Sequence, residues 1–180
     1  REGQWDKPLM YSNRKRGVVE IVYSTRFMKV VVQRVLNSSV VIDDKYEEKI
    51  NKGLMILLGM TYNDGIEDID YLINKILNLR IFEKDNKMNL SVKDINGDIL
   101  LIPQFTLYAN PYDGNRPSFN DALNKEEAEE LFCIFKEKIS SIYNNVKFGK
   151  FGSDMKVSLI NDGPITIIIE SKEKVKKWKE

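Results

Sequence analysis

The chain has 180 residues, 42% of them hydrophobic and 31% charged, with a formal net charge of +1. That composition fits one globular domain able to bury a core and excludes disordered and collagen-like classes; no apolar run approaches the roughly 18 residues that a membrane span needs. Histidine is absent and there is one cysteine, which removes the Ser-His-Asp and Cys-His arrangements, the usual zinc ligand sets and any intramolecular disulfide. Catalysis here must come from backbone dipoles, hydroxyls, carboxylates, lysines or the substrate itself, and no metal or other cofactor is expected.

Residues 1–27 hold six Lys/Arg against three acids, while the remainder holds 22 against 24. A near-neutral body argues against strong non-specific nucleic-acid binding, which draws on a large basic surface. "REGQWDKPLMYSNRKRG" is polar and unpatterned, with "VVEIVYS" after it as a short strand. We read residues 1–27 as an upstream extension or expression remnant, without the apolar core of a signal peptide. Met28 opens "MKVVVQRV", the natural start of the domain.

From there Lys29–Val35 and Ser39–Ile42 read as two strands, and "GLMILLGM" (Gly53–Met60) as a fully buried one. A helix opens at Asp64 or Glu67, with Ile69, Leu72, Ile73, Ile76 and Leu77 on one face. Short strands are expected at Leu79–Phe82, Lys87–Val92 and Asp98–Tyr108. A second helix starts at Asn124, an N-cap with Glu127 three residues on, and carries Ala128, Leu131, Phe132, Phe135, Ile139 and Ile142 as its stripe. Cys133 falls within that pattern and is expected to be a buried thiol. Val146–Phe151, Met155–Ile160 and Ile165–Glu170 close the domain, and residues 172–180 form a charged, frayed tail. The fold class is α+β: mainly antiparallel, barrel-like sheets with two main helices in a single domain.

Four stretches are more polar or richer in Gly and Pro than packing requires. "IPQFTLYAN" (Ile102–Asn110), read as a strand, puts Gln104 and Thr106 on one face and Phe105 and Leu107 on the other. "GNRPSF" (Gly114–Phe119) is a turn carrying one arginine. "GKFGSDMKVSL" (Gly149–Leu159) sets two glycines around Phe151, as a bulge or a ligand's close approach to backbone would require. "SLINDGPITII" (Ser158–Ile168) has the Asp-Gly signal of a hairpin, with a proline that would remove a ladder N–H from the returning strand.

Together these stretches resemble the D-aminoacyl-tRNA deacylase family. Its two signatures, Ser-Gln-Phe-Thr-Leu and Asn-x-Gly-Pro-x-Thr, stand here as "PQFTL" (Pro103–Leu107) and "NDGPIT" (Asn161–Thr166). "VVVQRV", "YLINKILNLRIF", "KMNLSV" and "GNRPSF" extend the likeness from Met28 to about Ser171, whereas residues 1–27 have no counterpart. The resemblance implies a cytoplasmic homodimer that hydrolyses the ester of D-aminoacyl-tRNA, and of glycine mischarged on tRNA, at the 3′-terminal adenosine of the acceptor end. Gly163-Pro164 would be a cis peptide inserted into the partner's active site as a chirality filter, with Arg34 bracing it. Gln104, Phe105 and Thr106 would be catalytic, through backbone N–H groups, adenosine contacts and the one hydroxyl of the motif. Phe151, Met155, Asn161 and Thr166 would bind substrate.

The departure is Pro103, where the family has serine. A sister branch that removes L-alanine from a threonine tRNA has proline there, but follows it with Gln-Ala-Thr-Leu and has Thr-Asn-Gly-Pro as its second motif. Phe105 and Asn161-Asp162 side with the D-specific branch. The alternatives are thus the sister specificity, or a nucleic-acid-binding module with weakened catalysis.

Overall fold

A computed structural model describes residues 27–171; the tail, and all of the expected N-terminal extension but Phe27, lie outside the described residues. In chain order the elements are β1 (Lys29–Ile42), β2 (Tyr46–Ile50), β3 (Gly53–Gly59), α1 (Ile66–Asn78), β4 (Phe82–Lys84), β5 (Lys87–Leu90), β6 (Asp98–Pro103), a 3-10 turn (Phe105–Tyr108), α2 (Lys125–Ile142), β7 (Val146–Phe148) and β8 (Met155–Glu170). This is the expected α+β fold with two helices.

β1 organises the sheet. One of its edges takes β3 along Lys29–Val35 and β2 along Ser38–Ile42, and the other takes β8, all antiparallel. β3–β6 and β6–β7 are parallel pairs. Parallel neighbours need long crossovers, and α1 and α2 lie within those two connections. The sheet curls so that Lys147 of β7 reaches Glu48 of β2 at 3.5 Å, a barrel-like near-closure.

Both faces of the central strands β3 and β6 are buried, which is why Gly53–Met60 is apolar throughout. Val30, Val32, Leu54, Ile56, Leu58, Ile99 and Leu101 pack with the helices' buried stripes. Val35, Val40, Ile42, Met55, Leu100 and Ile102 fill the inside of the curl. On β1 the even positions 30 and 32 face the helices, whereas the even positions 40 and 42 join Val35 inside the curl. An irregularity between Val35 and Asn37 accounts for the switch, because one extra residue turns the following side chains to the other face.

All five stripe residues of α1 are buried. Its cap is Gly65, one residue past the expected Asp64, with the Gly65 N–H donating to Asp68 Oδ2 at 2.8 Å. In α2, Asn124 accepts from the Glu127 N–H at 3.0 Å as expected. Ala128, Phe132, Phe135 and Ile139 are buried, but Ile142 is exposed. Cys133 is exposed too, which corrects the buried-thiol expectation. One residue beyond Phe132 is a rotation of about 100°, enough to leave the stripe.

Five further expectations change. The two first strands are one, since β1 bends at its irregularity without stopping. The strand from Asp98 ends at Pro103, because its neighbour β3 ends at Gly59, just beyond the Leu58–Pro103 pair; residues 105–108 coil into the 3-10 turn, so the expected face alternation there is lost. Leu79–Phe82 and Val146–Phe151 shift or shorten to β4 and β7. Finally, Asn161-Asp162-Gly163-Pro164 is not a hairpin. Both halves of β8 pair with the same strand in the same sense, so the chain never reverses.

Two outcomes follow from this packing. Phe135→Ala, at a fully buried position, should lower unfolding free energy by about 3–5 kcal/mol in denaturant titration. Asp64, just ahead of α1, has its carboxyl pushed up to about 7, chiefly by burial and despite the Thr61 N–H bonding it at 2.7 Å. The proton is therefore held more tightly in the folded state. Its contribution to stability is full below about pH 4, the unfolded carboxyl's range, and is lost as pH rises through about 7. Thermal melts from pH 4 to 8 should show that loss in the wild type and a flatter profile in Asp64→Asn.

Candidate active site

Two groups of the expected site residues are found, and the chain keeps them apart. The first gathers where β6 and β7 end. Gly149 lies so close to its neighbours that an added Cβ would stand 2.8 Å from Met155 sulfur and 3.4 Å from Ile102 and from the Pro103 ring. Pro103 is buried as the last residue of β6. The next N–H, that of Gln104, donates to the Leu58 carbonyl at 2.7 Å, so it cannot also polarise a substrate carbonyl. The Phe105 and Thr106 N–H groups open the 3-10 turn, where no earlier turn supplies an acceptor.

Thr106 is exposed, and its hydroxyl accepts from the Gln104 side-chain amide. Phe105 is 55% exposed and meets Phe119 edge to face at 5.2 Å. The contact links the "PQFTL" and "GNRPSF" stretches. Phe151 leans on Phe132 of α2, with ring centroids 6.2 Å apart. A cavity of about 570 Å³ opens beside it, lined among others by Gly149, Cys133, Lys136 and Lys150. The turn after Phe151 is made at Gly152, with φ +73°.

The second group is the "NDGPIT" loop. Gln33 pairs with Thr166 and Val35 with Asn161, so Arg34 alone faces four residues of β8, Asp162 to Ile165. The surplus is raised as a loop. Gly163 and Pro164 are exposed and the peptide between them is cis. Asn161 closes the neck: its Oδ1 accepts from the Ile165 N–H at 2.7 Å, and its Nδ2 donates to Thr166 Oγ1 and Gln33 Oε1, both at 3.0 Å. Asn161 and Thr166 thus shape this loop, and the chain does not bring them to the Met155 group.

Arg34 is buried beneath the loop. Its Nε donates to the Asp162 carbonyl at 3.0 Å and lies 3.3 Å from Asp162 Oδ2; its Nη1 donates to the Ile81 carbonyl at 2.7 Å. Asp162 and Ile81 were missed in the sequence. A lone arginine in an apolar strand requires a buried counter-charge, and the acid inside "NDGPIT" was the available signal.

Met155 pairs with Ile42, and the loop sits opposite Arg34. Eight positions of extended strand separate them, about 25 Å at roughly 3.3 Å per residue. Each group is whole within the chain, but the two do not meet in it.

A family model described as D-Tyr-tRNA(Tyr) deacylase matches residues 31–170. D-aminoacyl-tRNA deacylase of Fusobacterium nucleatum subsp. nucleatum is 50% identical over 147 residues, covering 81% of this chain and 97% of that one. The protein of the same name from Flavobacterium psychrophilum is 55% identical over 149 residues, covering 82% and 99%. Among solved structures, "c-Myc DNA Unwinding Element Binding Protein" superposes with a TM-score of 0.75 at 38% identity over 81% of this chain and 99% of that one. A "probable eukaryotic D-amino acid tRNA deacylase" shares the fold at a TM-score of 0.71 and 15% identity, over 79% and 98%. The chain belongs to the D-Tyr-tRNA(Tyr) deacylase family, hydrolases of the ester in aminoacyl-tRNA.

Proposed function

We propose that the chain removes D-amino acids, and glycine mischarged on other tRNAs, from the 3′-terminal adenosine of tRNA in the cytoplasm. In this reading two copies associate and the Gly163–Pro164 loop of each enters the other's pocket. The observation that carries it is the separation just described. A loop that is built, braced and exposed stands about 25 Å along extended strand from Met155, so on this reading a second copy supplies it.

The outer edge of β8 is suited to that association. Among the described residues β8 pairs only with β1, and Ile160 and Ile168 are 52% and 66% exposed beside the loop. A long unpaired edge with apolar neighbours is a template for pairing with another chain.

Inside the pocket, selection falls to backbone. An L side chain would run into the Gly163–Pro164 main chain, while a D side chain or a glycine hydrogen points to open space, so many D residues are accepted and one enantiomer is excluded. The Phe105 and Thr106 N–H groups polarise the ester carbonyl and hold the developing oxyanion. Water attacks that carbon with help from the ribose 2′-OH, and the ester C–O bond breaks, releasing the amino acid and free tRNA. Among the described residues no carboxylate or lysine hydrogen-bonds Thr106, and its hydroxyl accepts from Gln104, so it positions and does not attack. Phe151 and Met155 line the place of the terminal adenosine. Pro103 carries the second reading, release of L-alanine, because the sister branch has proline at that position.

Incubation with D-Tyr-tRNA, Gly-tRNA and L-Ala-tRNA, wild type beside Pro103→Ser, tests the proposal. Hydrolysis of the first two is expected; release of L-alanine alone assigns the sister specificity, and binding of RNA or DNA without hydrolysis leaves a binding module. Thr106→Val should slow turnover about tenfold without abolishing it, and a trapped aminoacyl ester on Thr106 would overturn its assigned role. Gly163→Ala places a Cβ 3.3 Å from Arg34 Nη2 at φ +131°. With strain of about 1–3 kcal/mol at such a position, its kcat/KM on D-Tyr-tRNA should drop at least about tenfold. Ile168→Asp should give a monomer by light scattering and no deacylation, although it leaves both site groups intact.

A further inference from the structure

We infer that Asp162 is a specificity-determining positioning residue: its carboxylate holds Arg34, and Arg34 holds the Gly163–Pro164 peptide against the β4–β5 hairpin. This rests on the reading of that peptide as the chirality filter. The side chain of Arg34 is 7% exposed, and a buried guanidinium needs an anion close by. Two carboxylates are in range. Asp162 Oδ2 lies 3.3 Å from Nε and is 33% exposed, whereas Glu83 Oε1 lies 3.9 Å from Nη1 and is 59% exposed. The nearer and drier partner dominates the charge balance, because attraction rises as distance and dielectric fall.

The geometry ties that charge to the filter's orientation. Arg34 Nε also takes the Asp162 carbonyl at 3.0 Å. That carbonyl belongs to the peptide entering Gly163, so fixing it fixes one side of the Gly163 torsions. On the other side, Arg34 Nη2 packs against Gly163. The remaining anchor is outside the loop, where Nη1 donates to the Ile81 carbonyl at 2.7 Å, one residue before β4. The hairpin, a two-stranded sheet set apart from the main one, is thereby the fixed post from which the guanidinium reaches the filter. Without the Asp162 charge, the guanidinium's remaining carboxylate is Glu83, on the hairpin side. Arg34 then moves toward it, and the peptide entering Gly163 is freed to rotate.

The test is the ratio of kcat/KM for D-Tyr-tRNA over L-Tyr-tRNA, with thermal melts alongside. Asp162→Asn removes the charge at nearly constant shape and should lower that ratio at least about tenfold, as expected when a buried cation loses its nearer ion-pair partner. Asp162→Glu keeps the charge and should hold the ratio within about threefold of wild type. Glu83→Gln should also stay within about threefold. A folded Asp162→Asn protein with wild-type selectivity overturns the inference. So does a folded Asp162→Glu protein whose ratio falls at least about tenfold below wild type, a comparison that stands even where the Asn variant fails to fold. Equal hydrolysis of both esters by the wild type, or of neither, fails at the earlier step and removes the filter reading itself.

Discussion

β1 is paired along both edges for nearly its whole length, and its pairing with β8 lapses at two residues: Leu36, the one surplus residue of β1, and Arg34, which faces four surplus residues of β8. Ladder hydrogen bonds hold β8 in register above and below the gap, so four residues have nowhere to go but outward. The buried cation fills the space they leave and binds what remains of their backbone. Remove the two-sided pairing and the loop has no fixed base. Remove the guanidinium and the gap becomes a cavity lined with unpaired carbonyls, which is costly in a dry interior. The site's shape therefore derives from sheet register more than from any local turn.

The same sheet separates the functional groups. Main-chain order along β8 puts Met155 at one end and the loop in the middle, and a strand cannot fold back on itself. A chain built this way has to complete its pocket with another copy, on the reading proposed above. The chemistry fits the arrangement. With no histidine in the sequence, catalysis on that reading depends on where dipoles point, and dipoles fixed by a sheet need no titration.

Much of this was legible in the sequence, for reasons that differ by element. Helical periodicity marked α1 completely, since its five core residues are aliphatic and evenly spaced. The continuous run at Gly53–Met60 was legible because both faces of β3 are covered. The 3-10 turn was not. Its sequence, Phe105–Tyr108, alternates like a strand, and what ends the strand is the length of β3, a fact of pairing that lies elsewhere in the chain. The hairpin at Asp162-Gly163 failed for a related reason: local turn chemistry cannot say whether the two flanking strands share a partner. Motif resemblance located the Arg34 brace, but its counter-charge and its link to Ile81 emerged only when strands 47 and 128 residues apart were brought together.

Cys133 was expected inside and lies outside, in the wall of the cavity beside Phe151. It is also the one thiol in the sequence. The molecule thus carries a natural attachment point for a thiol-reactive dye or spin label, on α2. A reporter placed there needs no mutation of the background, and its signal reads the surroundings of Phe151 directly.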